Sequence, residues 1–151
     1  MRARLRTDVS MARGRSPERD YLVVAITFDA RPSWPARSTL VLLDDDGFPN
    51  AVHSSDTEIV DATVPSDWVV TSSDGTVTIG PPPISSIGDF WELFWGNHEP
   101  EDDGRWVQPI YREAVRALVS EFGTDDDRKA FGELPDWEVS PSARLGDIPE
   151  H

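Results

Sequence analysis

The sequence predicts an α+β fold: an antiparallel sheet of about five to six strands from the N-terminal two-thirds, with two to three helices packed on one face from the C-terminal third. Three observations lead there. β-Branched and aromatic runs crowd into residues 21–80, Asp-Gly turns join neighbouring runs, and the apolar spacing becomes helical after the consecutive prolines 81–83. Strands gathered first and helices afterwards argue against a βαβ nucleotide-binding fold. At 151 residues the chain suits one domain. We read residues 1–19 as a disordered basic tail, 20–133 as one α+β domain, and 134–151 as an extended tail packed partly on that domain.

Taking the elements in order, residues 1–19 are rich in Arg and contain Gly14 and Pro17, a composition that resists packing. Met11 offers a second possible start. The run from Tyr21 to Phe28 is continuous, β-branched and aromatic, and its length suits a central strand. A second strand is predicted over Thr39–Leu43. Pro32 and Pro35 make the connection a loop, with Trp34 folding back on the sheet. Asp44, Asp45, Asp46 and Gly47 form a turn whose glycine accepts positive φ and whose acids stay solvated, leading into a strand over Phe48–Ser54. Another strand is expected over Glu58–Val64, ended by Pro65.

The sharpest local signal is Asp67–Gly80, with Asp74-Gly75 as a two-residue type I′ turn. Counting outward pairs Ser73 with Thr76, Ser72 with Val77, Thr71 with Thr78 and Val70 with Ile79. Trp68, Val70, Val77 and Ile79 then form an apolar face to be covered, and the threonines a face left to water. Ser86 and Asp89 resemble a capping box for a helix over Ile87–Trp95, ended by Gly96 and Asn97. Its apolar residues exceed one stripe, which means burial on several sides or exposed aromatics. Pro109 suits the first turn of the longest helix, where Trp106, Ile110, Tyr111, Ala114, Val115, Leu118, Val119 and Phe122 make one apolar face. Gly123 caps it. Thr124 and three aspartates start a short helix closing at Gly132. Trp137 is the one large anchor of the remaining tail.

The formal charge of −14 is uneven. The first twenty residues carry six of the fourteen basic side chains, leaving 8 basic and 25 acidic ones, or −17, over residues 21–151. Such a body repels nucleic acid and anionic membrane and steers a basic partner toward itself. An arginine-rich arm for nucleic acid is the competing reading of residues 1–19, but no aromatics interleave those arginines. The absence of cysteine excludes disulfide and thiolate chemistry and a zinc ribbon. No apolar run reaches a membrane span and no secretory-type stretch opens the chain, so a cytoplasmic location is expected. Arg outnumbers Lys thirteen to one, the usage expected of a GC-rich bacterial genome.

No phosphate loop, nucleophile elbow, HExxH or EF-hand loop occurs. His98 lies near Glu99, Glu101, Asp102 and Asp103, yet nothing in that spacing enforces a metal site. His53, Ser54, Ser55 and Asp56 are neighbours on a strand and so point apart, unlike a triad. No catalytic, cofactor-binding or metal-binding residue is assigned, and no cofactor is expected. The leading reading is an acidic protein-binding module, such as an immunity or inhibitor protein that neutralises a basic partner. Its expected contacts are Trp91, Trp95, Glu99, Glu101, Asp102 and Asp103, where acids adjoin aromatic anchors. A small-ligand or hydrolase pocket between sheet and helices is the alternative, and self-association as a homodimer is the third reading.

Overall fold

A computed structural model describes residues 1–6, 15–16, 18–31, 37–95 and 106–132. The fold is α+β: among the described residues there are seven strands in the N-terminal part, every pairing antiparallel, and four helices after them. The strands are β1 (Arg2–Leu5), β2 (Asp20–Asp29), β3 (Arg37–Leu43), β4 (Pro49–His53), β5 (Thr57–Asp61), β6 (Val69–Ser73) and β7 (Thr76–Gly80). The helices are α1 (Pro82–Ser85), α2 (Phe90–Trp95), α3 (Val107–Phe122) and α4 (Asp125–Gly132).

The expected tail over 1–19 is wrong at its start, because Arg2–Leu5 is a strand between β2 and β5. Ala3 and Leu5 alternate with arginines, and both are buried. That period of two is enough to place one face in a core while the arginines stay at the margin.

Ten-residue β2 organises the sheet. One edge pairs with β3, while the other is shared: residues 20–22 pair with β1 and residues 26–29 with β7. The path β4-β3-β2-β1-β5 is closed at one corner, because only a single 3-10 turn, Ser54–Asp56, separates β4 from β5. The sheet therefore curls around an inner cluster of Ala3, Leu5, Tyr21, Val23, Leu40, Leu42 and Val52. Its other face packs the helices through Leu22, Val24, Ala25, Val41 and Leu43 against Phe90, Val107, Tyr111, Val115, Leu118 and Val119.

A bulge between Val23 and Ala25 puts Val24 and Ala25 on the same, helix-facing side. Beyond it the alternation is reversed. This explains the one facial assignment that fails. The β6–β7 hairpin has the expected register, and Asp74 and Gly75 both take positive φ, as a type I′ turn requires. Its threonine side, however, turns toward the helices: the Thr71 hydroxyl donates to the Ser85 carbonyl. Val70, on the apolar side, is 66 % exposed.

The predicted helix over 87–95 starts late, at Phe90, and a separate one-turn helix precedes it. Pro82 and Pro83 open one-turn α1, a role proline's fixed φ suits, and α2 begins only at Phe90. Ser86 contacts the Pro82 carbonyl behind it and so does not cap α2. On α3, Pro109 falls in the first turn and the buried stripe is as expected. Trp106 is the exception, at 53 % exposed. Gly123 closes α3 with its N–H on the Val119 carbonyl, and a Cβ there would lie 2.4 Å from that oxygen.

Candidate functional site

Of the expected contact residues, Trp91 and Trp95 lie together on α2. Their rings stack at 4.9 Å, and Trp91 also meets Phe90 edge-on at 4.9 Å and Tyr111 at 6.3 Å. Trp91 is buried among the helix-side core residues, and Trp95 is partly buried against the same cluster. Trp91 is thus a packing residue. Glu99, Glu101, Asp102 and Asp103 lie outside the described residues, as do His98, Trp34 and Trp137. His53 stands exposed on β4. Among the described residues no group of three or more His, Asp or Glu is placed to hold a metal ion, and no helix is long and apolar enough to cross a membrane.

A concavity lies elsewhere, between α1, α3 and the approach to β6. It is a groove of about 490 Å³. Pro81–Pro83 and Ile87 form one wall and α3 the other. Residues 110, 114, 118 and 122 of α3 share one ridge, and the small side chain of Ala114 leaves room between Ile110 and Leu118. Trp68 lies at the groove too; its indole nitrogen is sealed from solvent and lacks a hydrogen-bond partner, so the ring offers the groove carbon. Asp67, Glu113 and Glu121 stand exposed at the rim. Among the described residues none of these three joins an ion pair. The sequence carried the ingredients of this groove, but bringing Trp68 beside α3 depends on the curl of the sheet.

Two buried carboxylates lie on the other side of α3. Asp44 is 6 % exposed, against the expectation that the turn's acids stay solvated. One of its oxygens accepts the Asp46 and Phe48 N–H groups, each at 2.9 Å. Burial outweighs these bonds and pushes its pKa up to about 6. The fully buried Tyr111 hydroxyl donates to the Gly47 carbonyl at 3.3 Å, and burial, together with the charge of Asp44, raises its pKa well above the ordinary value.

Asp127, 0 % exposed, starts α4. Thr124 donates its N–H to the carboxylate at 2.8 Å and accepts the Asp127 N–H at its hydroxyl, the reciprocal pair of a capping box. Arg2 reaches the same carboxylate at 2.7 Å and Arg19 at 3.0 Å. Burial alone would raise this carboxyl, but the Thr124 N–H and the two guanidiniums hold it below the usual value. Arg19 also bridges to Asp45 at 2.6 Å, and Arg4 pairs with Asp20 at 2.7 Å. Three of the N-terminal arginines are therefore engaged within the fold.

No family model matches the chain, and comparison with curated proteins and with solved structures finds no significant similarity.

Proposed function

We infer that this chain is an acidic protein-binding module that neutralises a basic partner, in the manner of an immunity or inhibitor protein. The observation that carries the reading is the fate of the basic residues. Arg2, Arg4 and Arg19 answer Asp127, Asp20 and Asp45 within the molecule, while among the described residues Asp67, Glu113 and Glu121 stand exposed without an ion-pair partner. The same engagement argues against an arginine arm for nucleic acid. Long-range attraction would come from the net charge, and affinity from desolvated apolar anchors beside carboxylates. Trp95 and the acids Glu99, Glu101, Asp102 and Asp103 that follow it in the chain remain one proposed contact set.

The test is capture by the immobilised full chain, followed by identification of the partner and titration with NaCl. A basic protein, released as salt rises from about 0.05 to 0.5 M, supports the reading. An acidic or salt-insensitive partner, or a nucleic acid, sinks it. Loss of capture in Trp95→Ala with Glu101→Ala would place the contact at that set. A small-ligand site is the second reading, because the groove's volume falls in the usual range for such sites. Saturable binding of a small molecule, with the groove amides responding, would favour it. Light scattering at two concentrations tests self-association.

A further inference from the structure

Resting on that reading, we propose that the groove between α1 and α3 is where the partner docks, and that its occupant is a basic amphipathic segment. Apolar side chains of the segment enter the groove, and its lysines or arginines meet Asp67, Glu113 and Glu121.

The layout of α3 carries the argument. Positions 110, 114 and 118 form the apolar inner ridge, while 113, 117 and 121 form an outer ridge one turn apart at each step. Glu113 and Glu121 are thus eight residues apart, about 12 Å along the helix axis. Between them Ala117 is exposed and small, so the outer wall dips where a side chain would cross it. Glu113 and Glu121 flank the dip, and Asp67, outside α3, lines the same groove. A segment two turns long, with an apolar stripe and cations on either flank, matches this pattern in spacing and in sign.

Charge also decides among occupants. The chain's own residues 133–151 carry Glu133, Asp136, Glu138, Asp147 and Glu150 against Arg144 alone, so they meet the rim with like charge. A second copy brings another −14. Nucleic acid is repelled for the same reason. A basic segment is the occupant that the three rim carboxylates attract.

The experiment titrates the ¹⁵N-labelled full chain with a synthetic helical peptide of leucines and lysines, and with its counterpart bearing glutamates in place of lysines. The lysine peptide should shift the amides of Ile87, Ile110, Ala114, Ala117 and Glu121 and the Trp68 indole resonance, while the glutamate peptide should not. Glu113→Lys with Glu121→Lys should weaken binding by about tenfold or more, and Ala117→Trp, which fills the dip at an exposed position, should do the same with every charge retained. Diffuse shifts, or shifts confined to another face, overturn the groove and leave the basic-partner reading standing. No response to the lysine peptide at low salt overturns both. Equal response to the glutamate peptide overturns the charge argument. Because the chain lacks cysteine, a spin label at Ser140→Cys marks residues 133–151 cleanly; broadening of the groove amides without peptide would make the chain's own segment the occupant. Groove shifts that depend on protein concentration alone would make it a second copy. Either result overturns the proposal.

Discussion

Among the described residues two aspartates, Asp127 and Asp44, are buried, and the fold treats them in opposite ways. At the start of α4, Asp127 is matched by two guanidiniums and a capped helix terminus, and its charge is favoured despite complete burial. In the β3–β4 turn, Asp44 has backbone N–H groups and the Asn50 side chain but no cation among the described residues, and its charge is disfavoured. Burial is common to both; what differs is the partner. The first site binds distant parts of the chain together, whereas the second shapes a local turn at a cost in stability whenever it is ionised.

The most severe way to break this contrast is to remove residues 1–6, which takes away β1 and one of the two cations of Asp127. Residues 20–22 of β2 and most of β5 would lose a neighbour, and the expected result is loss of cooperative thermal unfolding, followed by near-ultraviolet circular dichroism. Asp127→Ala should follow, costing about 3–5 kcal/mol in urea denaturation, because largely buried Arg2 loses its counter-charge and Arg19 keeps only Asp45. Retention of stability within 1 kcal/mol would show that the network contributes little.

Asp44→Asn should move the other way. The gap between the ordinary 3.8 and about 6 corresponds to about 3 kcal/mol of disfavoured ionisation, so the neutral amide should raise stability at pH 7 by about 2 kcal/mol. The gain should shrink as pH falls and vanish near about pH 2, well below the ordinary 3.8, where the wild-type carboxyl is protonated in both folded and unfolded chains. The pH profile of the wild type sharpens the comparison. Asp44, with its raised folded pKa, contributes stability present below about pH 4 that is lost as pH rises through about 6. Asp127, with its lowered folded pKa, contributes stability present above 3.8 that is lost as pH falls through the folded value. A guanidinium titration from about pH 2 to 7 checks both signs, and Asp44→Asn should flatten only the upper limb. The smallest expected effect is Tyr111→Phe, about 1 kcal/mol for the bond to Gly47.

The parts of this fold that were legible in the sequence are those decided within a few residues. The Asp74-Gly75 turn gave the hairpin register because both central positions need positive φ, and Thr124 with Asp127 marked the start of α4. What escaped depended on long-range partners. Arg2–Leu5 alternates as a strand should, but its burial requires β2, β5 and a carboxylate 125 residues away. The face of the β6–β7 hairpin was reversed by the bulge in β2, which no local pattern announces. The candidate contacts divide likewise: Trp91 reads as a surface anchor in sequence and packs as core, while the groove needs Trp68 and α3 to be adjacent, which follows from the sheet's curl.

The contact between Arg2 and Asp127 also sets an order of events during synthesis. Arg2 is translated 125 positions before the carboxylate it needs. At elongation rates of about 5–20 residues per second that is a wait of roughly 6–25 s. Until then β1 can pair only with β2 and, once translated, β5, its arginine still in water. Closure of the contact must therefore wait for α4, and the edge of a half-built sheet is exposed to other chains for as long as that wait lasts.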